Sequence, residues 1–403
     1  MKVKINPCTL QGELKAPPSK SMAHRLLICA GLAKGESIIE NISYSQDILA
    51  TIDCLNKMGA AVSRDGDKVW VMGASPVKAD TDFYPCRESG STLRFFIPLA
   101  MLTQKENLFT GYGRLMERPM SVYEKIAKER KIPYKSSEDG ITVAGVLEGG
   151  TYTLNADVSS QFISGLLFSL PFCQCDSEII LEGTISSKSY IDMTIRALDT
   201  FGVTVQWKNE NTLYIKGNQK YLCRDAVVEG DYSNAAFLDA FNYVGSSVEV
   251  TGLSENTLQS DSVYKEYFPL LRQGAPTLDV TDCPDLAPIL MTLAAELNGA
   301  VLKGTHRLKI KESDRGQVMK QELSKFGAEI DVYDDEIIIH KGELHSPTQA
   351  LYSHNDHRVV MSLAVLCSKY GGQIDDAGAV AKSYPDFFEK TKALGLEAQT
   401  NDD

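Results

Sequence analysis

The feature that most constrains the fold is a repeat of about seventy residues that runs through the 403-residue chain. Polar or charged clusters recur along the chain, and each one opens a stretch of small apolar residues. One position in each cluster marks the repeat: Lys20, Gly90, Ser160, Tyr232, Asp285 and Asp356. The steps between these positions are 70, 70, 72, 53 and 71 residues. Because a fixed period of this length is typical of a reused supersecondary unit, we predict six copies of one unit.

A second series of motifs follows the same period. Helix endings of the type Leu-x-x-Phe/Met-Gly-Ala/Val recur, with a glycine-free version at residues 129–132. The glycines of these endings are Gly59, Gly202, Gly274, Gly327 and Gly395. Glycine at this point indicates a left-handed residue that ends a helix, and the alternating residues that follow indicate a strand.

Each copy reads as strand, apolar helix, strand, amphipathic helix and two strands. Stretches 26–33 and 286–297 are apolar on all sides and must be buried, whereas 47–58 and 311–326 are amphipathic. Three copies would therefore bundle their apolar helices at the centre with the sheets outside. Six copies predict a two-domain, inside-out α/β barrel built from βαβαββ units. The fourth copy is short, since after Gly274 only 277–280 reads as a strand, and we expect one hairpin to be missing.

The repeat also predicts the domain boundaries. Residues 1–18 and 230–403 would form a discontinuous carboxyl-terminal-type domain of three units. Residues 19–229 would form the amino-terminal-type domain. The helix starts of each bundle would share one face, and two such faces would enclose the active site in an interdomain cleft.

Helix amino termini carry partial positive charge and free N–H groups, which suit bound anions. Helix capping alone accounts for the acids and hydroxyls in the clusters, which are Ser19, Ser21, Ser91, Ser159 and Asp285. Capping does not account for cations predicted in first turns, where they oppose the helix dipole. These cations are Lys20, Arg25, Lys311, Arg315 and Arg358, and Arg118 and Lys382 extend the set. We therefore predict that bound anions offset them, with the nearby acids Asp285 and Glu312 as proton carriers.

Composition excludes several classes of partner. The net charge is −12, from 41 basic and 53 acidic residues, so nucleic acid and anionic membranes are not expected. Nine scattered cysteines favour a reducing compartment, and no apolar stretch approaches the ~20 residues of a membrane span. His354 and His357 lack a third ligand at suitable spacing, so no metal is expected. We expect a cytoplasmic protein.

Ten ordered motifs closely resemble those of the 5-enolpyruvylshikimate-3-phosphate synthases. They are PSKSMAHR, ESGSTLRF, MERPM, SSQFISGLL, SSKSYIDMT, VEGDYSNAAFL, CPDLAPIL, IKESDR, NDHRVVMSLA and AKSYPDFF. The resemblance implies two domains of three βαβαββ units with the substrates in the cleft. It also implies a transferase of the shikimate pathway of aromatic amino acid biosynthesis. Such an enzyme moves the enolpyruvyl group of phosphoenolpyruvate to the 5-hydroxyl of shikimate-3-phosphate and releases phosphate, without metal or organic cofactor.

The resemblance assigns roles residue by residue. Shikimate-3-phosphate would be bound by Lys20, Ser21, Arg25, Ser159, Ser160, Gln161, Ser187, Tyr190, Asp285 and Lys311. Phosphoenolpyruvate would be bound by Lys20, Gly90, Arg118, Gln161, Arg315, Arg358 and Lys382. Asp285 and Glu312, with Lys20 as a third group, would carry protons. Several fixed cations suit two substrates that each bear a phosphate and a carboxylate. We expect these small molecules to be the partners of a monomer.

The chain departs from the commoner family pattern at two places. Glu88, Ser89, Gly90 and Ser91 stand where many members have Asn-Ala-Gly-Thr, and we expect Glu88 to pair with a nearby arginine. Arg307 stands where an Asn is common. Gly90 itself implies sensitivity to glyphosate, since family members with Ala there tend to resist it.

The sequence gives less support to three other functions. The sister enzyme that acts on UDP-N-acetylglucosamine would carry a reactive Cys in a loop, and residues 114–118 contain none. A non-catalytic six-unit scaffold does not explain cations at helix starts. A binder of nucleic-acid ends is disfavoured by the acidic net charge and by the lack of a basic stripe with interleaved aromatics.

Overall fold

A computed structural model describes residues 1–157 and 159–401 of the chain. The chain divides into two compact units, one formed by Pro18–Glu229 and the other by Met1–Pro17 with Gly230–Asp403. We call them the central unit and the terminal unit. Both are mixed α/β.

The strands of residues 1–229 are β1 (Lys2–Ile5), β2 (Gln11–Lys15), β3 (Glu36–Glu40), β4 (Ala61–Asp65), β5 (Lys68–Met72), β6 (Phe83–Pro85), β7 (Asn107–Thr110), β8 (Tyr134–Ser137), β9 (Gly140–Val143), β10 (Gly150–Asn155), β11 (Ser177–Glu182), β12 (Val205–Asn209), β13 (Thr212–Ile215) and β14 (Ala226–Val227). The α-helices of the same stretch are α1 (Lys20–Leu32), α2 (Gln46–Met58), α3 (Gly90–Ala100), α4 (Ser121–Arg130), α5 (Ser160–Ser169) and α6 (Lys188–Thr200).

The remaining strands are β15 (Ser247–Thr251), β16 (Thr277–Asp279), β17 (Ala300–Lys303), β18 (Ile330–Val332), β19 (Glu336–Ile339), β20 (Leu351–Tyr352), β21 (Gly372–Asp375) and β22 (Ala398–Asn401). The remaining α-helices are α7 (Tyr232–Ala240), α8 (Tyr264–Gln273), α9 (Ala287–Glu296), α10 (Arg315–Ser324), α11 (His357–Tyr370) and α12 (Phe387–Ala393). Three short 3-10 helices matter for the site: Pro284–Leu286, His306–Ile310 and Ala377–Lys382.

The sheets repeat one pattern. In the central unit the strand orders are β14-β3-β5-β4, β6-β7-β9-β8 and β10-β11-β13-β12. Each sheet begins with a parallel pair and continues with an antiparallel hairpin. In the terminal unit, β16-β17-β19-β18 has the same order. The predicted βαβαββ repeat is confirmed.

Two sheets are completed by strands that are distant in sequence. β14 supplies the first strand of the first copy and pairs in parallel with β3. β1 lies between β21 and β22 in the last sheet and is antiparallel to both. The chain therefore starts inside the terminal unit, leaves it, and returns.

The fourth copy lacks a hairpin, as its short step predicted. Its sheet contains two strands, β15 and β2, which pair in parallel. One prediction about this copy was wrong: Gly274 is extended, with φ 172°, and is not left-handed. Gly59, Gly202, Gly327 and Gly395 do have positive φ, from 76° to 109°. The difference follows from the missing hairpin, because after α8 the chain continues to the first strand of the next copy.

Apolar helices form the core of each unit, as predicted. In the central unit Phe95 of α3 packs edge-on against Phe168 of α5 at 5.4 Å, and His24 of α1 against Phe95 at 6.3 Å. In the terminal unit α7, α9 and α11 contact one another, and every residue from Ala287 to Ala295 in α9 is buried.

Within the described residues, none of the helices has the length and apolar character to cross a membrane. All nine cysteines are free thiols.

Candidate functional site

The terminal unit contains a compact group of charges centred on Arg315, the first residue of α10. The side chain of Arg315 is only 1% exposed. Its Nη1 lies 2.7 Å from Asp285 Oδ1 and its Nη2 lies 2.7 Å from Glu312 Oε2. Its Nε donates to Asp356 Oδ2 at 2.9 Å. Burial lowers the pKa of Arg315, but the three carboxylates more than reverse this and raise it, so the guanidinium stays charged.

Two further cations reach the same carboxylate, Asp285, which lies in the 3-10 helix before α9. Arg358 Nη2 is 2.7 Å from Asp285 Oδ2, and Lys311 Nζ is 3.5 Å from Asp285 Oδ1. Arg358 also donates through Nη1 to Ser233 Oγ at 2.6 Å. Arg358 therefore joins the starts of α7, α9 and α11. We call Asp285, Lys311, Glu312, Arg315, Asp356 and Arg358 the Arg315 cluster.

The cluster shifts the pKa values of two of its members, Asp285 and Lys311. Burial alone would raise the pKa of the Asp285 carboxyl group. The three neighbouring cations, Arg358 first, outweigh burial and hold that pKa well below its usual range. Burial lowers the pKa of Lys311 to about 8, although Asp285 opposes the shift. At neutral pH Asp285 is thus a carboxylate, while Lys311 changes charge slightly above neutrality.

The helix predicted over 311–326 begins later than expected. α10 starts at Arg315, because the Asp314 side chain caps it by accepting from the backbone N of Gln317 at 3.3 Å. Lys311 is extended and follows the 3-10 helix His306–Ile310. The prediction that Lys311 lies in a helical first turn is therefore wrong, and Glu312 is not a first-turn acid either.

The prediction that bound anions offset these cations stays a prediction. Carboxylates of the same unit already pair with Arg315, Arg358 and Lys311. Such pairing compensates the charges of the buried cations.

Lys382 lies at the end of the 3-10 helix Ala377–Lys382, in the terminal unit. Its Nζ donates to the backbone O of Asn355 at 2.7 Å. Asn355 directly precedes Asp356 of the Arg315 cluster, so Lys382 is tied to the same stretch of chain. Arg307, which replaces the commoner Asn, is buried in the 3-10 helix His306–Ile310.

In the central unit, Lys20 is the first residue of α1. Its Nζ is 2.8 Å from Asp47 Oδ2, and the two side chains are 14% and 13% exposed. Arg25 follows in the second turn, where it is buried, rather than in the first turn as predicted. It donates to the backbone O atoms of Ser21 at 2.6 Å and Tyr190 at 2.9 Å. Burial lowers the pKa of Arg25 to about 10. The structure brings two other predicted substrate contacts, Ser21 and Tyr190, together around it.

A second group of predicted residues meets at the starts of α3 and α5. A Cβ atom built on Gly90 would lie 2.5 Å from Arg118 Nη1, so the guanidinium of Arg118 rests on this glycine. Gln161 donates through Nε2 to Ser91 Oγ at 2.9 Å and accepts at Oε1 from Arg94 Nη1 at 2.6 Å. Arg118 and Gln161 are thus both placed beside the start of α3.

The capping predictions are confirmed at two helices and wrong at the others. Ser19 accepts from the backbone N of Met22 and caps α1, and Ser159 caps α5. The cap of α3 is Ser89, because the helix starts one residue before Ser91. Ser21 lies inside α1, and Asp285 lies in a 3-10 helix rather than at a cap.

Ser160 and Ser187 complete the predicted set. Ser160 is the first residue of α5 and is buried. Ser187 precedes α6 with φ 58°, a left-handed conformation that is uncommon for a residue with a side chain. Such a conformation often marks a functional site.

Sequence reasoning missed three residues that hold the candidate groups. Asp356 is fully buried, binds Arg315, and caps α11 by accepting from the backbone N of Arg358 at 3.0 Å. Asp47 binds Lys20, and Arg94 binds Gln161. The available signal was a charged residue in or beside the first turns of a helix, which applied to Asp356 and Arg94 as it did to Lys20.

The expected pairing of Glu88 with an arginine stays a prediction. The Glu88 carboxylate lies against Gly113, while the neighbouring Arg87 binds Asp53 at 2.8 Å. In ranges 1–157 and 159–401, no three His, Cys, Asp or Glu side chains are grouped so that they could hold a metal ion.

Comparison with known proteins gives consistent matches. A profile of the family described as EPSP synthase (3-phosphoshikimate 1-carboxyvinyltransferase) matches residues 5–391. A protein named 3-phosphoshikimate 1-carboxyvinyltransferase from Clostridium perfringens strain 13 is 39% identical over 421 residues, which cover 98% of each chain. A protein of the same name from Clostridium kluyveri is 40% identical and covers 98% of this chain and 97% of its own. The solved structure of EPSP synthase from Acinetobacter baumannii superposes with a TM-score of 0.82 at 22% identity, over 100% of both chains.

Proposed function

The chain belongs to the EPSP synthase family, and from this premise we propose that it is a 3-phosphoshikimate 1-carboxyvinyltransferase of aromatic amino acid biosynthesis. It transfers the enolpyruvyl group of phosphoenolpyruvate to the 5-hydroxyl of shikimate-3-phosphate and releases inorganic phosphate. The observation that carries the proposal is the Arg315 cluster, in which buried arginines and carboxyl groups meet at the starts of three helices.

Phosphoenolpyruvate carries a phosphate and a carboxylate, and both call for fixed cations. Arginine binds either group through two parallel N–H bonds. We assign this role to Arg315, Arg358 and Lys382 in the terminal unit. In the central unit we assign binding of phosphoenolpyruvate to the cations Lys20 and Arg118 and to the neutral residues Gly90 and Gln161.

Shikimate-3-phosphate is assigned to a largely different set. The contacts of the central unit are Lys20, Ser21, Arg25, Ser159, Ser160, Gln161, Ser187 and Tyr190. Those of the terminal unit are Asp285 and Lys311. Support comes from the grouping of Ser21 and Tyr190 around buried Arg25.

The protonation states suggest how protons move. Asp285, held ionised by its three cations, suits the acceptor of the proton on the 5-hydroxyl. That oxygen then bonds to C2 of phosphoenolpyruvate while Glu312, in its protonated form, gives its proton to C3. In the second step the Glu312 carboxylate takes a proton back from C3, the C2–C3 double bond forms again, and the bond from C2 to the phosphate oxygen breaks. The leaving phosphate takes up the proton that Asp285 accepted. Lys20 is a third group for these transfers.

The cellular setting is also proposed. Free thiols at all nine cysteines fit a reducing cytoplasm. We propose that the protein acts there as a monomer, and sedimentation with and without substrates measures its mass.

The test of function is phosphate release by the purified protein. We expect release only when shikimate-3-phosphate and phosphoenolpyruvate are both present. UDP-N-acetylglucosamine in place of shikimate-3-phosphate is the control, since it is the acceptor of the sister enzyme. No release with shikimate-3-phosphate, or equal release with UDP-N-acetylglucosamine, would overturn the proposal.

A further inference from the structure

Two consecutive non-glycine residues before α11 adopt left-handed backbone conformations. His354 has φ 51° and Asn355 has φ 55°. Residues with a Cβ atom disfavour this region, so their surroundings must stabilise the pair. We call these two residues the 354–355 turn. The motif NDHRVVMSLA, which begins at Asn355, contributed Arg358 to the site, whereas neither His354 nor Asn355 has a role in the reaction proposed above.

A buried carboxylate holds the turn on one side. Glu322 of α10 is fully buried, and its Oε1 accepts from His354 Nε2 at 3.0 Å. Its Oε2 accepts from the backbone N of Tyr352 at 2.9 Å and from Lys325 Nζ at 2.7 Å. Burial raises the pKa of Glu322, but the donors, His354 first, outweigh it, so the group is an ionised carboxylate.

The other side of the turn faces the proposed phosphoenolpyruvate cations. The backbone O of Asn355 accepts from Lys382 Nζ at 2.7 Å. The next residue, Asp356, binds Arg315 Nε at 2.9 Å and accepts from the backbone N of Arg358 at 3.0 Å. One short stretch of chain therefore contacts two of the cations proposed for phosphoenolpyruvate, Lys382 and Arg315, and caps the helix that carries the third, Arg358.

A second hydrogen bond ties the 3-10 helix that ends at Lys382 to the same stretch. Ser353 Oγ donates to Asp376 Oδ2 at 3.0 Å. Asp376 is itself left-handed, with φ 55°, and it precedes the 3-10 helix that ends at Lys382. Lys382 is thus positioned both through its amine and through the start of its helix.

We infer that Glu322 and His354 are positioning residues for phosphoenolpyruvate, which act by holding the 354–355 turn against Lys382 and the Arg315 cluster. Neither residue is assigned to contact a substrate. The inference rests on the proposed function. It explains why a fully buried glutamate lies beside an active-site stretch and accepts hydrogen bonds from Tyr352 and His354 of that stretch as well as from Lys325.

The test compares kinetics for the two substrates in His354 variants. His354→Ala removes the bond to Glu322 and leaves a residue that disfavours the left-handed backbone. We expect KM for phosphoenolpyruvate to rise on the order of tenfold, because small displacements of substrate-binding groups have effects of this size or larger. The KM for shikimate-3-phosphate and kcat should change by less than about threefold.

Two variants separate the backbone from the side chain. His354→Asn introduces a residue that tolerates the left-handed region. Compared with His354→Ala, it should recover part of the affinity for phosphoenolpyruvate. Glu322→Gln keeps the size of the side chain and one acceptor oxygen but removes the charge. Like His354→Ala, it should raise KM for phosphoenolpyruvate. A purely structural role would lower thermal stability and the amount of active protein without separating the two KM values.

The matched control is His340→Ala. His340 Nε2 also lies 2.9 Å from a carboxylate, that of Asp331, but both side chains are more than 40% exposed. We expect both KM values to stay unchanged. If the buried Glu322 variant does not fold, the His354 variants still test the positioning role. The His354 side chain is 22% exposed, so its replacement should leave the fold intact.

The possible outcomes distinguish the two proposals. An inactive parent protein would count against the proposed function. An active parent in which His354→Ala raises KM for phosphoenolpyruvate no more than His340→Ala would overturn the positioning role. Equal increases in both KM values would overturn it as well.

Discussion

At the scale of single residues, the candidate site is a set of charges that the protein itself compensates. Arg315 meets three carboxylates, Asp285 meets three cations, and Lys20 meets Asp47. Breaking one partner of such a buried pair leaves the other charge uncompensated, which costs more than the pair contributes. Substitutions that keep size and hydrogen bonding are therefore the informative ones.

Glu312→Gln should lower kcat on the order of 10²-fold or more, the usual scale for a positioned acid or base. The Gln side chain still offers an oxygen to Arg315, which Glu312 binds at 2.7 Å, so substrate affinity should be kept. Steady-state kinetics with both substrates measure the two effects. Near-normal turnover would show that Glu312 serves only to hold Arg315.

Lys311 predicts an alkaline limit on substrate binding. Burial lowers its pKa to about 8, so the amine is charged below that pH and neutral above it. Affinity for shikimate-3-phosphate should therefore fall as pH rises through about 8, since a neutral amine no longer attracts an anion. Lys311→Arg should remove this dependence, because arginine stays charged. The same alkaline decline in the arginine variant would assign it to another group.

Gly90→Ala tests the contact between α3 and Arg118. The added methyl group would lie 2.5 Å from Arg118 Nη1, the mobile end of a side chain, so the fold should survive while the guanidinium moves. We expect the parent enzyme to be sensitive to glyphosate, as family resemblance implies. The variant should bind glyphosate more weakly by a larger factor than phosphoenolpyruvate. Inhibition curves at several phosphoenolpyruvate concentrations give both factors, and equal losses would contradict the argument.

At the scale of helices and strands, the order and type of elements follow from the sequence, whereas only some helix starts do, such as those capped by Ser19 and Ser159. Periodicity predicted the apolar and amphipathic helices, and the 53-residue step predicted the missing hairpin. The predicted start of α10 was wrong because Asp314 is the cap, although Lys311 and Glu312 would fit into a helix equally well. Ser89 and Ser91 are likewise alternative caps of α3, and only backbone geometry chooses between them.

Asp314→Ala should therefore destabilise the terminal unit by about 1 kcal/mol, the typical value of a lost helix cap. Asp314→Ser keeps a capping oxygen and should cost much less. Urea unfolding of the two variants and the parent, followed by circular dichroism, compares them. Equal stability of the alanine and serine variants would show that this cap contributes little.

At the scale of the whole molecule, the repeat explains which parts of the site could be predicted. Each copy places a polar cluster at the start of an apolar helix, so the candidate residues could be found from their positions in the repeat. The pairing of acids with cations could not be predicted, since several acids and cations occupy equivalent positions in the repeat. Arg315 binds Asp356, which is 41 residues away in sequence, rather than the adjacent Asp314 that caps its helix.

The division of candidate residues between two units leads to a prediction for hydrogen exchange. If each substrate uses residues of both units, the two substrates together should slow exchange of backbone amides in both. A ligand at a hundred times its Kd stabilises a bound state by about 2.7 kcal/mol, which is roughly a hundredfold in the exchange of amides that open by unfolding. Protection should be largest at the starts of α1 and α3 in the central unit and of α10 and α11 in the terminal unit. The edge strands β12 and β22 carry no candidate residue, and those of their amides that exchange by local opening rather than by unfolding serve as internal references. Protection confined to one unit with both substrates bound would show that the residues of the other unit do not take part.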